Sequence, residues 1–152
     1  MRGVRVSARE DYAIRAALEL ATADTTPVKR DQIAAAQDIP TSFLENILLD
    51  LKRAEIVATQ RGPDGGFRLA RPAEAISIAD VVRAVSGPLA TVRGVRPQSI
   101  AYRGSAEPLR DVWVALRANI RSVLEDVTLA DLAAGKLPAA IERITRDRKA
   151  WE

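Results

Sequence analysis

A proline-broken junction followed by an amphipathic run constrains this chain more than any other feature. Asp38-Ile39-Pro40 ends a short periodic segment, and Phe43, Leu44, Ile47, Leu48 and Leu51 then recur at three- and four-residue spacing. That spacing predicts one apolar helix face, with Ser42, Glu45, Asn46, Leu49, Lys52 and Arg53 on the opposite face. Upstream, Asp31 to Gln37 predicts a shorter helix, in which Ile33 and the small Ala34 to Ala36 permit close packing. Two short helices with a tight junction form the helix-turn-helix outline, which many helical bundles share.

The segment that follows narrows the choice. Glu55 to Gln60 and Gly66 to Ala70 are strand-compatible runs flanking Arg61-Gly62-Pro63-Asp64-Gly65-Gly66. Pro63 fixes φ, and the glycines are available for positive φ, so this stretch predicts a hairpin turn. A β-hairpin directly after the presumed reading helix is the layout of a winged helix. Asp11 to Ala23 predicts a first helix, with Ser7 or Ala8 near its start, and Ser77 to Ser86 another, closed by Gly87-Pro88.

Residues 88–108 show no period and carry Pro88, Gly94, Pro97, Gly104 and Pro108. A connection of that length is either functional or mobile. Leu109, Val112, Trp113, Leu116, Ile120, Val123, Leu124 and Val127 then make an apolar stripe along a long helix. A stripe that long, added to an already complete small domain, looks for a partner helix. Thr128-Leu129-Ala130-Asp131 reads as a cap that restarts a short helix. The fold class expected is mainly α with a small β-wing: a winged helix-turn-helix domain over 1–87, a loop over 88–108, a dimerisation helix with a short following helix over 109–135, and a charged tail over 136–152 that is a frayed helix or disordered.

Composition removes whole classes of chemistry. The 152 residues include no cysteine and no histidine. Thiol nucleophiles, disulfides, cysteine-ligated zinc or iron–sulfur centres and imidazole acid–base catalysis are therefore excluded. No phosphate loop, metal-ligand spacing or recognisable carboxylate pair points to an enzyme. The 23 basic and 20 acidic residues leave a net charge of +3, and the basic residues are not gathered into one block. Charge alone permits a polyanion partner without requiring one. No apolar run approaches the ~20 residues of a bilayer-spanning helix, and a cytoplasmic protein without membrane contact is expected.

Four ordered motifs carry a resemblance: Asp11-Tyr12-Ala13-Ile14-Arg15-Ala16, Ile39-Pro40-Thr41-Ser42-Phe43-Leu44-Glu45, Arg61 to Leu69 around the wing, and Val127-Thr128-Leu129-Ala130-Asp131-Leu132. Together they resemble the Rrf-type winged helix-turn-helix transcriptional regulators over roughly residues 4–135. The resemblance implies a homodimeric bacterial regulator whose long helix crosses to the other subunit and whose winged helices read a palindromic operator. It also implies a departure. Cluster-binding members place three cysteines where this chain has approximately Val95, Ala101 and Glu107, with a further ligand near Arg110 or an acidic residue at the position of Asp11. Those sites depend on thiolate donation, so no iron–sulfur cluster, and no other cofactor or metal, is expected.

Site residues follow from chemistry and from the resemblance. On the exposed face of the reading helix, Glu45 can accept from cytosine N4 and Asn46 can pair with an adenine edge, with Thr41 and Ser42 beside them. The competing reading of Ser42-x-x-Glu45 is a capping box. Arg61 and Gly62 open the wing turn, where arginine suits a narrow minor groove, and the resemblance gives Arg61 that use. Lys52, Arg53 and Arg68, with Arg2, Arg5 and Arg9, are candidates for phosphate contact. Arg93, Arg96, Tyr102 and Arg103 in the 88–108 loop could hold an anionic or aromatic effector, against the plainer reading of a solvated loop.

The expectation is a sequence-specific DNA-binding regulator, a repressor acting as a homodimer on double-stranded DNA. The alternatives are a regulator controlled by a small molecule or protein at the 88–108 loop, and an adaptor that has lost DNA binding.

Overall fold

The computed structural model describes residues 5–152; Arg2, one of the expected phosphate contacts, lies outside the described residues. Ser7 accepts from the Glu10 backbone N–H at 3.1 Å and the Glu10 carboxylate accepts from the Ser7 N–H at 3.1 Å, which starts α1 at Ala8–Thr22. Ala13, Ala16, Ala17 and Leu20 on α1 are fully buried. Three alanines on that face let neighbouring backbones approach closely, and α1 is packed against four other helices and the wing.

The helix α2 (Arg30–Gln37) ends at Asp38, whose φ of 51° is left-handed and which turns the chain sharply. Aspartate tolerates that conformation better than most residues. Ile39 then donates back to the Ala34 carbonyl at 3.0 Å, and α3 (Thr41–Arg53) begins after Pro40. Leu44, Ile47, Leu48 and Leu51 face inward as their spacing predicts. Phe43 departs from that face: it is 49% exposed and lies edge-on to Tyr12, with ring centroids 6.0 Å apart. Phe43 stands in the first turn of α3, and Tyr12 of α1 covers only one side of its ring.

The strands β1 (Val57–Gln60) and β2 (Gly66–Leu69) pair antiparallel, with Val57 opposite Leu69 and Gln60 opposite Gly66. A third segment joins them: Val28 and Phe67 exchange both backbone bonds at 2.8 Å. The wing is therefore braced from the α1–α2 connection, a contact the polar turn before Pro27 does not advertise.

Ser77 caps α4 (Ile78–Ser86) by a capping box with Asp80. The 88–108 segment is neither regular nor featureless. Val92 and Val95 bond to each other across a turn, and Pro97 and Ile100 are buried. The long helix α5 (Leu109–Asp126) follows, and none of its residues is buried within the protomer. Val127 then turns into extended backbone. The Ile78 N–H donates to the Val127 carbonyl and the Leu129 N–H to the Ile76 carbonyl, both at 2.9 Å.

That exchange returns the chain to the first domain. Leu129, at the start of α6 (Leu129–Ala134), is fully buried in the main core, and Thr128 and Asp131 form the expected capping box. In the charged tail over 136–152, expected to be a frayed helix or disordered, Ala139–Arg146 forms the helix α7 and a short 3-10 turn follows. Ile141 is half-buried near the end of α5, while no residue of α7 is fully buried. Among the described residues, no helix is long and apolar enough to cross a membrane.

Candidate nucleic-acid interface

The exposed face of α3 and the strands of the hairpin flank one groove. Thr41, Ser42, Glu45, Asn46, Leu49, Lys52 and Arg53 are all exposed. Inward packing of Leu44, Ile47, Leu48 and Leu51 forces this, because on a helix of this amphipathicity the remaining positions have nowhere else to point. Between α2, α3 and the wing lies an open cleft of about 460 Å³, lined by Lys29, Arg30, Glu45, Leu48, Lys52 and Phe67 among others.

Glu45 is not a cap. The helix begins one residue before Ser42, Pro40 stands at the N-cap position, and no side chain caps this terminus. The capping-box reading of Ser42-x-x-Glu45 is thereby corrected. The Glu45 carboxylate instead takes an ion pair from Arg30 on α2. Lys29 beside it reaches the wing, donating from Nζ to the Pro63 carbonyl at 3.0 Å. Two cations at the start of α2 thus tie α3 and the hairpin tip to one place. Sequence inspection misses both, since neither residue belongs to a motif.

Wing geometry follows from its glycines. Gly65 donates to the Gly62 carbonyl at 3.0 Å, closing a Gly62-Pro63-Asp64-Gly65 turn. Gly62 has a φ of 105°, which only glycine adopts readily. Gly65 is buried, and a Cβ there would lie 2.9 Å from the carbonyl carbons of Gln60 and Arg61. These two residues let the turn close tightly while leaving Arg61 and Gly62 exposed at its edge. Arg68, on β2, is also exposed, with its guanidinium donating to the Leu69 carbonyl at 3.2 Å.

Arg9 is differently employed from the phosphate contact expected of it. Its guanidinium pairs with the half-buried Asp50 on α3 and donates to the Val85 carbonyl at 3.4 Å, so it joins α1 to α3 and α4. Arg5 stays exposed.

The expected interface stripe divides. Val112, Leu116 and Val123 on α5 are exposed, at 56%, 36% and 37%. Leu109, Trp113, Ile120 and Leu124 are half-buried. Val127 does not belong with them: at 3% exposure and outside the helix, it packs inside its own protomer. The period carried it onto the stripe because the helix ends one residue earlier than the pattern does. Below the stripe, Arg83 of α4 and Arg121 of α5 both grip Glu125, the latter at 3.0 Å. Hydrogen bonds from Arg83 and then Arg121 hold the Glu125 carboxyl below its ordinary value of 4.5.

The 88–108 residues named as effector contacts are not gathered. Arg93, Arg96 and Arg103 are exposed, while Tyr102 is half-buried and its hydroxyl accepts from the Trp113 indole at 3.1 Å. Of the four, Tyr102 alone lines the open cleft formed there by Ile100, Gly104, Glu107 and Arg110 among others.

Comparison with known proteins agrees with this architecture. A family model described as Rrf2, iron-dependent transcriptional regulator, matches residues 6–135. A Mycobacterium tuberculosis protein whose name places it among the HTH-type transcriptional regulators is 49% identical over 98% of this chain and 93% of its own length. The HTH-type transcriptional regulator IscR of Cereibacter sphaeroides is 30% identical over 88% of this chain and 90% of its own. Among solved structures, CymR, the global cysteine regulator of B. subtilis, superposes with a TM-score of 0.74 at 27% identity, over 88% of this chain and 99% of its own.

The iron in the family's description finds no fitting donors here. The chain has no cysteine or histidine, and among the described residues no three carboxylates converge as a metal site would need. Asp11 is paired with Arg15 at 3.0 Å, and Val95 bonds through its backbone to Val92. With the helix pair, the braced wing and the match over 6–135 in agreement, this chain belongs to the Rrf2 family of DNA-binding transcriptional regulators and is not an enzyme.

Proposed function

We propose that this chain is a repressor that binds a palindromic operator as a homodimer, without an iron–sulfur cluster, in the bacterial cytoplasm. The observation that carries the dimer is α5: eighteen residues with an apolar stripe and not one residue buried in the protomer. In a lone protomer Val112, Leu116 and Val123 would stay in water, and a second copy packed against the stripe of Leu109, Val112, Trp113, Leu116, Ile120, Val123 and Leu124 covers them. Two-fold pairing then sets two α3 helices side by side, suited to successive major grooves about 34–36 Å apart.

Within each half, Glu45 and Asn46 read base edges, flanked by Thr41 and Ser42. Arg61 and Gly62 enter the adjacent minor groove, and Lys52, Arg53 and Arg68 set the register on phosphates. Repression requires in addition that the operator overlap a promoter, so that the bound dimer excludes polymerase. Selection of genomic fragments by the purified protein tests this reading. Recovery of an inverted-repeat sequence is expected, bound by a species of twice the protomer mass. Fragments without two-fold symmetry, or binding by a monomer, would overturn it.

A further inference from the structure

The Arg30–Glu45 pair has no part in capping or core packing, and both partners are substantially exposed, at 41% and 60% of their side chains. Pairs so exposed contribute little to folding, so its consequence lies in where the carboxylate sits. Glu45 is the one exposed carboxylate on α3, the other acidic residue, Asp50, being half-buried against Arg9. A bare carboxylate carried between two phosphate backbones is repelled, and a free glutamate side chain samples many rotamers. Arg30 answers both difficulties. Its guanidinium, which also lies 3.5 Å from the more exposed Asp31, offsets the Glu45 charge, and it holds that carboxylate from a neighbouring helix whose Ile33 and Ala34 are fixed in the core.

We propose that Arg30 is a positioning residue for base recognition: it fixes and neutralises Glu45 so that the carboxylate discriminates at one base pair, and does not itself touch that base. The proposal rests on the reading of Glu45 as a base contact given above. Arg30 lies on α2, outside the recognition helix and outside every motif that carries the family likeness.

The test uses the full-length protein and duplexes recovered by genomic selection, each base pair of a half-site replaced in turn. Wild type, Arg30→Ala, Arg30→Lys, Glu45→Ala and the Arg30→Ala/Glu45→Ala double variant are titrated at several salt concentrations, with melting temperatures as the control for folding. Glu45→Ala should flatten discrimination at one position by about 5- to 150-fold. Arg30→Ala should flatten the same position, and Arg30→Lys should restore part of it. The double variant should discriminate no worse than Glu45→Ala, and the salt slope of Arg30→Ala should stay close to that of wild type. Uniform weakening across all duplexes with a shallower slope would make Arg30 a phosphate contact and overturn the proposal. So would full discrimination in Arg30→Ala beside its loss in Glu45→Ala, which leaves the Glu45 reading standing. Unchanged discrimination in Glu45→Ala would remove both.

Discussion

Gly65→Ala separates the wing's shape from the stability of the fold. An added Cβ would sit 2.9 Å from the carbonyl carbons of Gln60 and Arg61, and nearer still to the Gln60 carbonyl oxygen. Carbon atoms rest at about 3.5–4.0 Å, so at least ~0.6 Å must be found in backbone, where no flexible side chain can give way. Two movements could supply it. Shifting the strands would break the β1–β2 ladder and the two 2.8 Å bonds between Val28 and Phe67. Opening the turn breaks one backbone bond, from the Gly65 N–H to the Gly62 carbonyl, and loosens the one from Lys29 Nζ to the Pro63 carbonyl. One backbone hydrogen bond is worth about 0.5–1.5 kcal/mol, so the turn opens and the strands stay. The melting temperature should fall by only about 2–4 °C for each kcal/mol lost in a chain of this size. DNA binding should suffer more, because Arg61 and Gly62 ride on the turn that moves. Anisotropy titrations at several salt concentrations should show Gly65→Ala resembling Arg61→Ala, with weaker binding and a shallower slope as the Arg61 charge leaves the minor groove. Native affinity and slope in Gly65→Ala would refute the argument. So would a collapse in melting temperature, which would mean that the tip and the sheet are one unit.

Three further outcomes are expected. Lys52→Ala, exposed on the groove beside Glu45, should weaken binding to all sequences alike and lower the salt slope by about 0.9, with base preference intact in a duplex panel. Leu116→Asp with Val112→Asp should give a folded monomer by sedimentation, since no residue of α5 is buried within the protomer; a persistent dimer would place the interface elsewhere. Glu125, held below its ordinary value by Arg83 and then Arg121, stabilises the attachment of α5 to α4 above the ordinary carboxylate range. That contribution is lost as pH falls through the lowered value. Amide exchange in α5 should therefore be faster in Glu125→Gln than in wild type at neutral pH, and the difference should vanish in acid. A difference that survives acidification would deny the carboxylate this role.

What could be read from the sequence was whatever depends on neighbours along the chain. Capping residues three apart, the 3.6-residue stripe of α3, and proline and glycine in the wing turn are all local chemistry, and they place α1, α3, the hairpin, α4 and α6 close to where they lie. Errors gather where a distant partner decides. Phe43 obeys the helical period yet stays half in solvent, with Tyr12 of α1 against one edge of its ring. Ser42 and Glu45 satisfy the spacing of a capping box, but Pro40 already starts the helix and Arg30, fifteen positions away, takes the carboxylate. Arg9 looks like a surface cation until Asp50 is brought to it. The pairing of Val28 with Phe67 and the return of Val127 to Ile78 carry no local signal at all.

The same distinction bears on a family member without thiolates. A cluster would pin the segment ahead of the long helix by bonds to metal, a constraint visible in sequence as cysteine spacing. Here the segment is pinned by contacts that spacing does not reveal. Pro97 and Ile100 are buried, Val92 and Val95 bond across their turn, the Trp113 indole donates to Tyr102, and Arg117 donates to the Leu89 carbonyl at 3.1 Å. Two of these reach from α5 back to the segment before it, so the orientation of the long helix is set by side chains of the chain itself. Leu124 adds a third tie, packing on Ala79, Val82 and Leu89. In the proposed dimer, an α5 fixed in this way would present Val112, Leu116 and Val123 to the second copy in one attitude, which is the geometric condition for two α3 helices to keep a constant separation.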